Sequence, residues 1–443
     1  MTSPTRDPPI PPRAITPRQV AAAVAGNALE FYDFTVYATF SEQIGHAFFP
    51  SKDAFTSQIL TLITFGVGFL LRPLGAIVIG RLADRVGRRP AMMLSFSLMG
   101  ASILGLALTP PYARIGIVAP CLVLFWRLCQ GFALGGEVGP TTAYLVEAAP
   151  PERRGFYGAW QGGSQNIANL VGAAVGLAVN AGFGAVALSA WGWRAAFLIG
   201  TVALPFGLLL RRALPETLHR VEAKHDVHPE HPTLLASAPV LLRGFGLVAA
   251  TTIPTYVFLY LTTYAFQTLH MPAGVSLAAT AVSGTCGLVA GLLGGVLSDR
   301  FGRRAMLIWP RVFFLLATWP VFDLIVRRHD ATSLLVGTAI LTFSSALSTA
   351  SVFVAITESL RKEVRVTGLG AMYAIAVAVF GGTTQPVVRW LIEVTGDPRS
   401  IAAYTIAATL VGLVSSVAMR ETAARPLARR AMAAAADSAR VQE

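Results

Sequence analysis

The sequence predicts an all-α membrane protein of twelve transmembrane helices in two pseudo-symmetric six-helix bundles, and three observations predict it. Apolar residues make up 54% of the 443 residues and charged residues only 13%, about half the charged share of a soluble domain. The apolar residues gather into long runs, with the charges bunched in short connectors between them. A decapeptide occurs twice: Gly80-Arg81-Leu82-Ala83-Asp84-Arg85-Val86-Gly87-Arg88-Arg89 returns as Gly295-Val296-Leu297-Ser298-Asp299-Arg300-Phe301-Gly302-Arg303-Arg304, with seven of ten positions identical. Each copy leaves one apolar run and enters the next, so the halves are repeats in the same orientation, the arrangement of parallel-repeat secondary transporters.

A bilayer core needs about 20 residues per helix. On that measure the spans fall near 18–41, 56–79, 91–109, 115–146, 156–181, 192–210, 239–268, 274–297, 305–326, 332–357, 367–394 and 400–419. The expected organisation is a disordered leader (1–17), an N-terminal bundle (18–210), a linker (211–238), a C-terminal bundle (239–419) and a tail (420–443). The leader is rich in proline and lacks the apolar core of a signal peptide.

The formal net charge of +12 could point to nucleic acid, but its placement argues for topology instead. The even-numbered connectors, both termini and the adjoining span ends hold 25 Arg or Lys, whereas the other connectors hold only Lys52, Arg114, Arg327, Arg328 and Arg399. By the positive-inside rule both termini are expected in the cytoplasm, the chain being multi-pass in a cell membrane and, on this reading, a bacterial inner membrane.

Cys121, Cys129 and Cys286 all fall inside spans, so neither a disulfide framework nor a metal site is expected. His225, His228 and His231 recur in the linker, but Pro229 and Pro232 interrupt any helix that would gather them, and a tether is expected. No GxSxG or phosphate-loop pattern occurs, which argues against an enzyme. No cofactor is expected, the driving force being a proton gradient with sodium left open.

The doubled loop has a physical logic as a conformational gate. Gly80, Gly87 and Gly302 allow close approach and a tight turn, while Asp84 and Asp299 end a helix where a neighbouring helix N-terminus or an arginine can hold their charge. Arg85, Arg88, Arg300 and Arg303 supply such cations. A second correspondence follows spans 4 and 10: Glu147 precedes Arg154 by seven residues, and Glu358 precedes Arg365 by seven. Arginines that only set topology are the plainer reading of the loop.

The doubled loop, twelve spans and central linker resemble the major facilitator superfamily. Four further stretches are similar to its metabolite:proton symporter family, especially the citrate and tricarballylate branch: Gly26-Asn27-Ala28-Leu29-Glu30-Phe31-Tyr32-Asp33-Phe34, Arg72-Pro73-Leu74-Gly75-Ala76, Trp191-Gly192-Trp193-Arg194 and Phe380-Gly381-Gly382-Thr383-Thr384-Gln385-Pro386. The resemblance runs from about residue 18 to 419. It implies proton-coupled symport of a small organic acid by alternating access, with partners limited to substrate, proton and lipid, no nucleic acid, and a monomeric unit. Carriers of zwitterionic osmolytes belong to the same family and are the alternative. A non-transporting membrane sensor is a more distant one.

Charges inside spans are costly unless paired, hydrated or used. Asn27, Glu30 and Asp33 share an arc of about 120° on span 1, and Asp33 lies roughly 22 Å into it. Asp33, with Glu30 and Glu137, is a candidate for proton coupling, or else for a structural ion pair. Arg127 sits on span 4 above Gly131, Gly135 and Gly139, where the resemblance implies the superfamily's basic fourth-helix position. It is a candidate to grip a carboxylate, or a partner for Asp33. Arg72 is a second carboxylate ligand or an interhelical arginine. Gln161, Gln165 and Asn166 on span 5 offer neutral donors and acceptors. Tyr256 and Tyr260 on span 7, with Tyr373 and Gln385 on span 11, complete the candidate pocket, although tyrosines at helical spacing are as readily packing residues.

Overall fold

A computed structural model describes residues 16–51, 54–86, 88–147, 149–202, 204–205, 208–209, 237–360 and 362–427. The linker histidines and most of the leader therefore lie outside the described residues. So do Gly87 of the gate and the side chains of Glu30, Asp84, Arg85 and Arg88.

Helices coincide with every expected span. The first half holds α1 (Pro17–Thr39), α2 (Ala54–Val67 continuing as Arg72–Val86), α3 (Arg88–Leu108), α4 (Val118–Gly135 continuing as Val138–Glu147), α5 (Arg154–Gly182) and α6 (Trp193–Thr201). The second holds α7 (Ala238–Thr263), α8 (Ala273–Phe301), α9 (Arg303–Arg328), α10 (Ala331–Ser359), α11 (Lys362–Ala376 continuing, through a π-helical turn at Val377–Gly381, as Gly382–Thr395) and α12 (Ser400–Ala418). Eight helices among the described residues are long and apolar enough to cross a membrane. α1 and α5 are not among them, because Asn27, Asp33, Gln161, Gln165, Asn166 and Asn169 lie along them. Those polar residues face protein.

Local chemistry sets the helix ends. Thr16 caps α1 reciprocally with Gln19, and Pro17 fills the first turn, where no amide donor is needed. Asp330 caps α10 by accepting from the Ser333 amide at 2.6 Å. α8 ends and α9 begins at Gly302, whose φ of 107° suits only glycine.

The bundle is graded from centre to lipid. In α7, 89% of the apolar stretch is buried, against 39% in α9 and α12, which show Trp309, Phe313, Leu316 and Val414 outward. Such outward apolar surface is what a hydrocarbon environment requires. The halves meet along α5 and α8, from Gly155 against Gly295 to Gly176 against Leu277. A β-carbon at Gly155 would collide with the Gly295 carbonyl oxygen, so the helices touch there backbone to backbone. Within the first half, Gly131 and Gly135 pack on the backbone of α2 at Gly68 and Arg72, whereas Gly139 faces Gly370 of α11 across the halves.

Candidate functional site

The interior of the first half is charged. Arg127 on α4 donates through Nη1 to Asp33 Oδ2 on α1 at 2.7 Å and to Gln130 Oε1 at 2.6 Å. Both members of the ion pair are about 1% exposed. The guanidinium also lies 3.8 Å over the Tyr37 ring, so one aromatic face holds it flat against α1. Asp33 Oδ1 and Arg127 Nε and Nη2 are buried without a hydrogen-bond partner. The pair thus keeps two donors and one acceptor unused in a buried interior, where such groups ordinarily find partners.

Arg72 begins the second segment of α2, just after the chain tightens into short-range turns at Gly66–Leu71. It is 2% exposed and lies 4.2 Å over Phe69 and 5.5 Å over Phe34. Those rings join Phe65 and Tyr256 in an aromatic cluster with centroids 5.1–6.2 Å apart, Tyr256 coming from the second half. Glu137 sits at the break between the two segments of α4, 2% exposed. Span 4, expected from sequence as one stretch over 115–146, is therefore broken at this residue.

The other candidates divide. Asn27 is spent on holding α1 to α5: Nδ2 donates to the Gln161 carbonyl and to Ser164 Oγ, both at 2.8 Å, and Gln165 Nε2 donates back at 3.3 Å. Gln161 and Gln385 are each 1% exposed with both amide atoms unpartnered, and the Tyr260 hydroxyl is likewise buried without a partner. Gln165 and Asn166 line a cavity of about 70 Å³ between α5, α7, α8 and α10, alongside Asn169 and the hydroxyls of Thr255, Thr280, Ser283, Thr342, Ser345 and Thr349. Tyr373 packs edge-on against Phe353.

At the face where α1 begins and α12 ends the halves are latched. Asp299 accepts from the amides of Gly155 at 2.8 Å and Phe156 at 3.0 Å, the N-terminus of α5 in the other half. A carboxylate there meets free amides and the positive end of the helix together. Arg303 donates to Asp299 at 2.8 Å and, through Nε and Nη2, to Glu358 at 3.2 and 3.3 Å. The Glu–Arg correspondence is crossed between halves: Glu147 pairs with Arg365 at 2.8 Å, and Glu358 lies 3.8 Å from Arg154. Arg300 stands apart from this network, exposed and over Phe301.

Two latch residues escaped the sequence reading. Glu421, beyond α12, accepts from the Arg303 and Arg304 amides at 2.8 and 3.1 Å, and Thr422 donates to Glu358 at 2.7 Å. A signal existed, since Glu-Thr also stands at 216–217, just after span 6. Gln130 and Tyr37 were also missed, being distinguishable only by what they touch.

Residues 23–383 match the family model described as Major Facilitator Superfamily. A citrate-proton symporter of Klebsiella pneumoniae is 38% identical over 400 residues, 90% of each chain. A proline/betaine transporter of Salmonella typhimurium is 31% identical over 442 residues, 96% of this chain and 87% of the other. Among solved structures, a proton:xylose symporter bound to 6-bromo-6-deoxy-D-glucose superposes with a TM-score of 0.74 over 91% of this chain and 95% of that one, a likeness of fold at 18% identity.

Proposed function

The chain belongs to the major facilitator superfamily, and from that premise we propose that it is a secondary active symporter carrying a small tri- or dicarboxylate, such as citrate, together with protons. The Asp33–Arg127 pair carries this reading. A substrate carboxylate competes for the Arg127 guanidinium, whose planar fork suits two oxygens. Asp33 is then left without its cation, and its carboxylate is the site that carries the coupled proton. Substrate and proton thereby enter together, the proton on Asp33 offsetting one of the substrate's carboxylate charges.

Gln161, Gln385 and Tyr260 supply the neutral donors and acceptors for the remaining oxygens of the substrate. Their unpartnered atoms lie in both halves, as a site emptied and refilled by rocking requires. The latch is then the contact that closes the cytoplasmic side, with both termini in the cytoplasm of a bacterial cell and the monomer as the working unit. Sodium has no role in this scheme.

A zwitterionic osmolyte is the second reading, favoured by the aromatic cluster, which offers faces that a quaternary ammonium prefers. Arg72 already lies on those faces, however, and its charge repels a second cation. Uptake of labelled citrate, α-ketoglutarate and betaine into proteoliposomes, under separately imposed proton and sodium gradients, decides the matter. Proton-driven accumulation of citrate is expected. Accumulation of betaine alone, or a requirement for sodium, overturns the proposal.

A further inference from the structure

Opposite the latch, a vestibule of about 610 Å³ opens between the halves. Its first-half wall is the short helix Ser41–Phe48 with the start of α2, and its second-half wall is the stretch just after α7, with Phe266, Gln267, His270 and Met271, together with Arg389 of α11. Arg389, His46 and His270 are the basic groups of the lining, and Glu42 is its acid.

The arginine is built in rather than waving in solvent. Its side chain is 17% exposed, lies 5.1 Å over the Phe55 ring and reaches Glu393 through Nη2 at 3.6 Å, longer than a charge-assisted hydrogen bond. Its Nε is buried and has no acceptor. Gln58, 7% exposed and on the opposite wall, likewise buries an Nε2 with no acceptor. His46 lies 3.9 Å from Glu42, and His270 is held at a φ of 52°, a conformation that costs a non-glycine residue energy. One turn inward from Arg389 on α11 stands Gln385, both of whose amide atoms are unpartnered.

We propose that this vestibule is a capture site for a small carboxylate, occupied before the ligand enters the membrane interior. The inference rests on the carboxylate reading above. The chemistry is that of a roomy cleft whose fixed cation is Arg389, which concentrates anions at its mouth, with donors lacking acceptors buried in the Arg389 and Gln58 side chains of its walls. Gln385 is the next station on the way in. Glu393, half-exposed and 3.6 Å from Nη2, leaves much of the guanidinium charge for an anion in the cleft.

Zero-trans citrate transport, measured separately from the vestibule face and from the latch face, tests it. Arg389→Gln is expected to raise KM from the vestibule face by roughly tenfold and to flatten the fall of kcat/KM with ionic strength. The KM from the latch face should change less than about twofold, which also reports correct folding. Arg389→Lys should keep most of the salt dependence, because steering needs charge more than shape. A KM that rises equally from both faces, or not at all, while citrate transport persists, sinks the capture site alone. Absence of carboxylate transport from either face in the unaltered protein sinks the carboxylate reading and this inference with it.

Discussion

The two halves repeat one another at the latch and differ in the interior. Inside the first half, Asp33, Arg72, Arg127 and Glu137 are each at most 2% exposed. The facing positions of the second half are neutral, with Gln385, Thr384, Tyr260 and Ser351 buried to the same degree. Arg311, buried within that half, turns instead toward α12, donating to the Gly412 carbonyl at 3.0 Å and to Ser416. At the latch, by contrast, each half contributes a glutamate to the other half's arginine. Closing a face needs matched groups on both bundles, whereas proton coupling needs one titratable pair, and a second buried pair would add desolvation cost for no gain.

The sharpest way to break this asymmetry is Asp33→Asn. It should abolish uphill accumulation, with the internal-to-external ratio falling to about 1, while exchange persists, because the proton site is lost and the pocket is not. An accumulation ratio equal to that of the unaltered protein would overturn the coupling role. Arg127→Lys comes next. An ammonium keeps the charge but not the planar fork, so substrate binding should weaken by roughly 1.5–3 kcal/mol, the scale of a hydrogen bond to a charged group. Unchanged affinity in equilibrium binding would leave Arg127 a purely structural partner.

The latch separates from the interior through kinetics. Glu358→Gln strips two arginines of a buried carboxylate that is 6% exposed, and should cost the closed state about 3 kcal/mol. The population open at the latch face, read by accessibility of an introduced cysteine, should rise while substrate affinity is unaltered. Glu147→Gln should do the same far more weakly, below about 1 kcal/mol, because that glutamate is 47% exposed and water screens its pair. Equal shifts from the two glutamates would show that exposure does not grade the latch. Glu421→Ala uncaps α9 and should lower its stability by a few tenths of a kcal/mol to about 1 kcal/mol, read as a reduced melting temperature in detergent.

Much of this architecture was legible because its signals are local. Runs of apolar residues and a doubled loop mark twelve helices and a duplication without any tertiary information, and the Asn27, Asp33 and Gln161 faces mark the polar sides of α1 and α5. Membrane insertion reads such signals segment by segment, since each helix must satisfy its own backbone before it meets a neighbour. The nature of Asp33 and Arg127 as costly intramembrane charges was equally plain.

Partnership was decided by the fold. Asn27 carries the same amide as Gln161, yet one is used up between helices and the other is left unpartnered, a distinction made by residues 134 and 137 positions away. Glu147 stands seven residues from Arg154 in sequence, but its partner is Arg365, 218 residues on. Spacing along one helix fixes which residues share a face, and only the docking of the two bundles sets which charges meet across it. A short polar side chain takes whatever partner lies within about 3 Å, and in a twelve-helix bundle that distance is set by helix packing rather than by the chain.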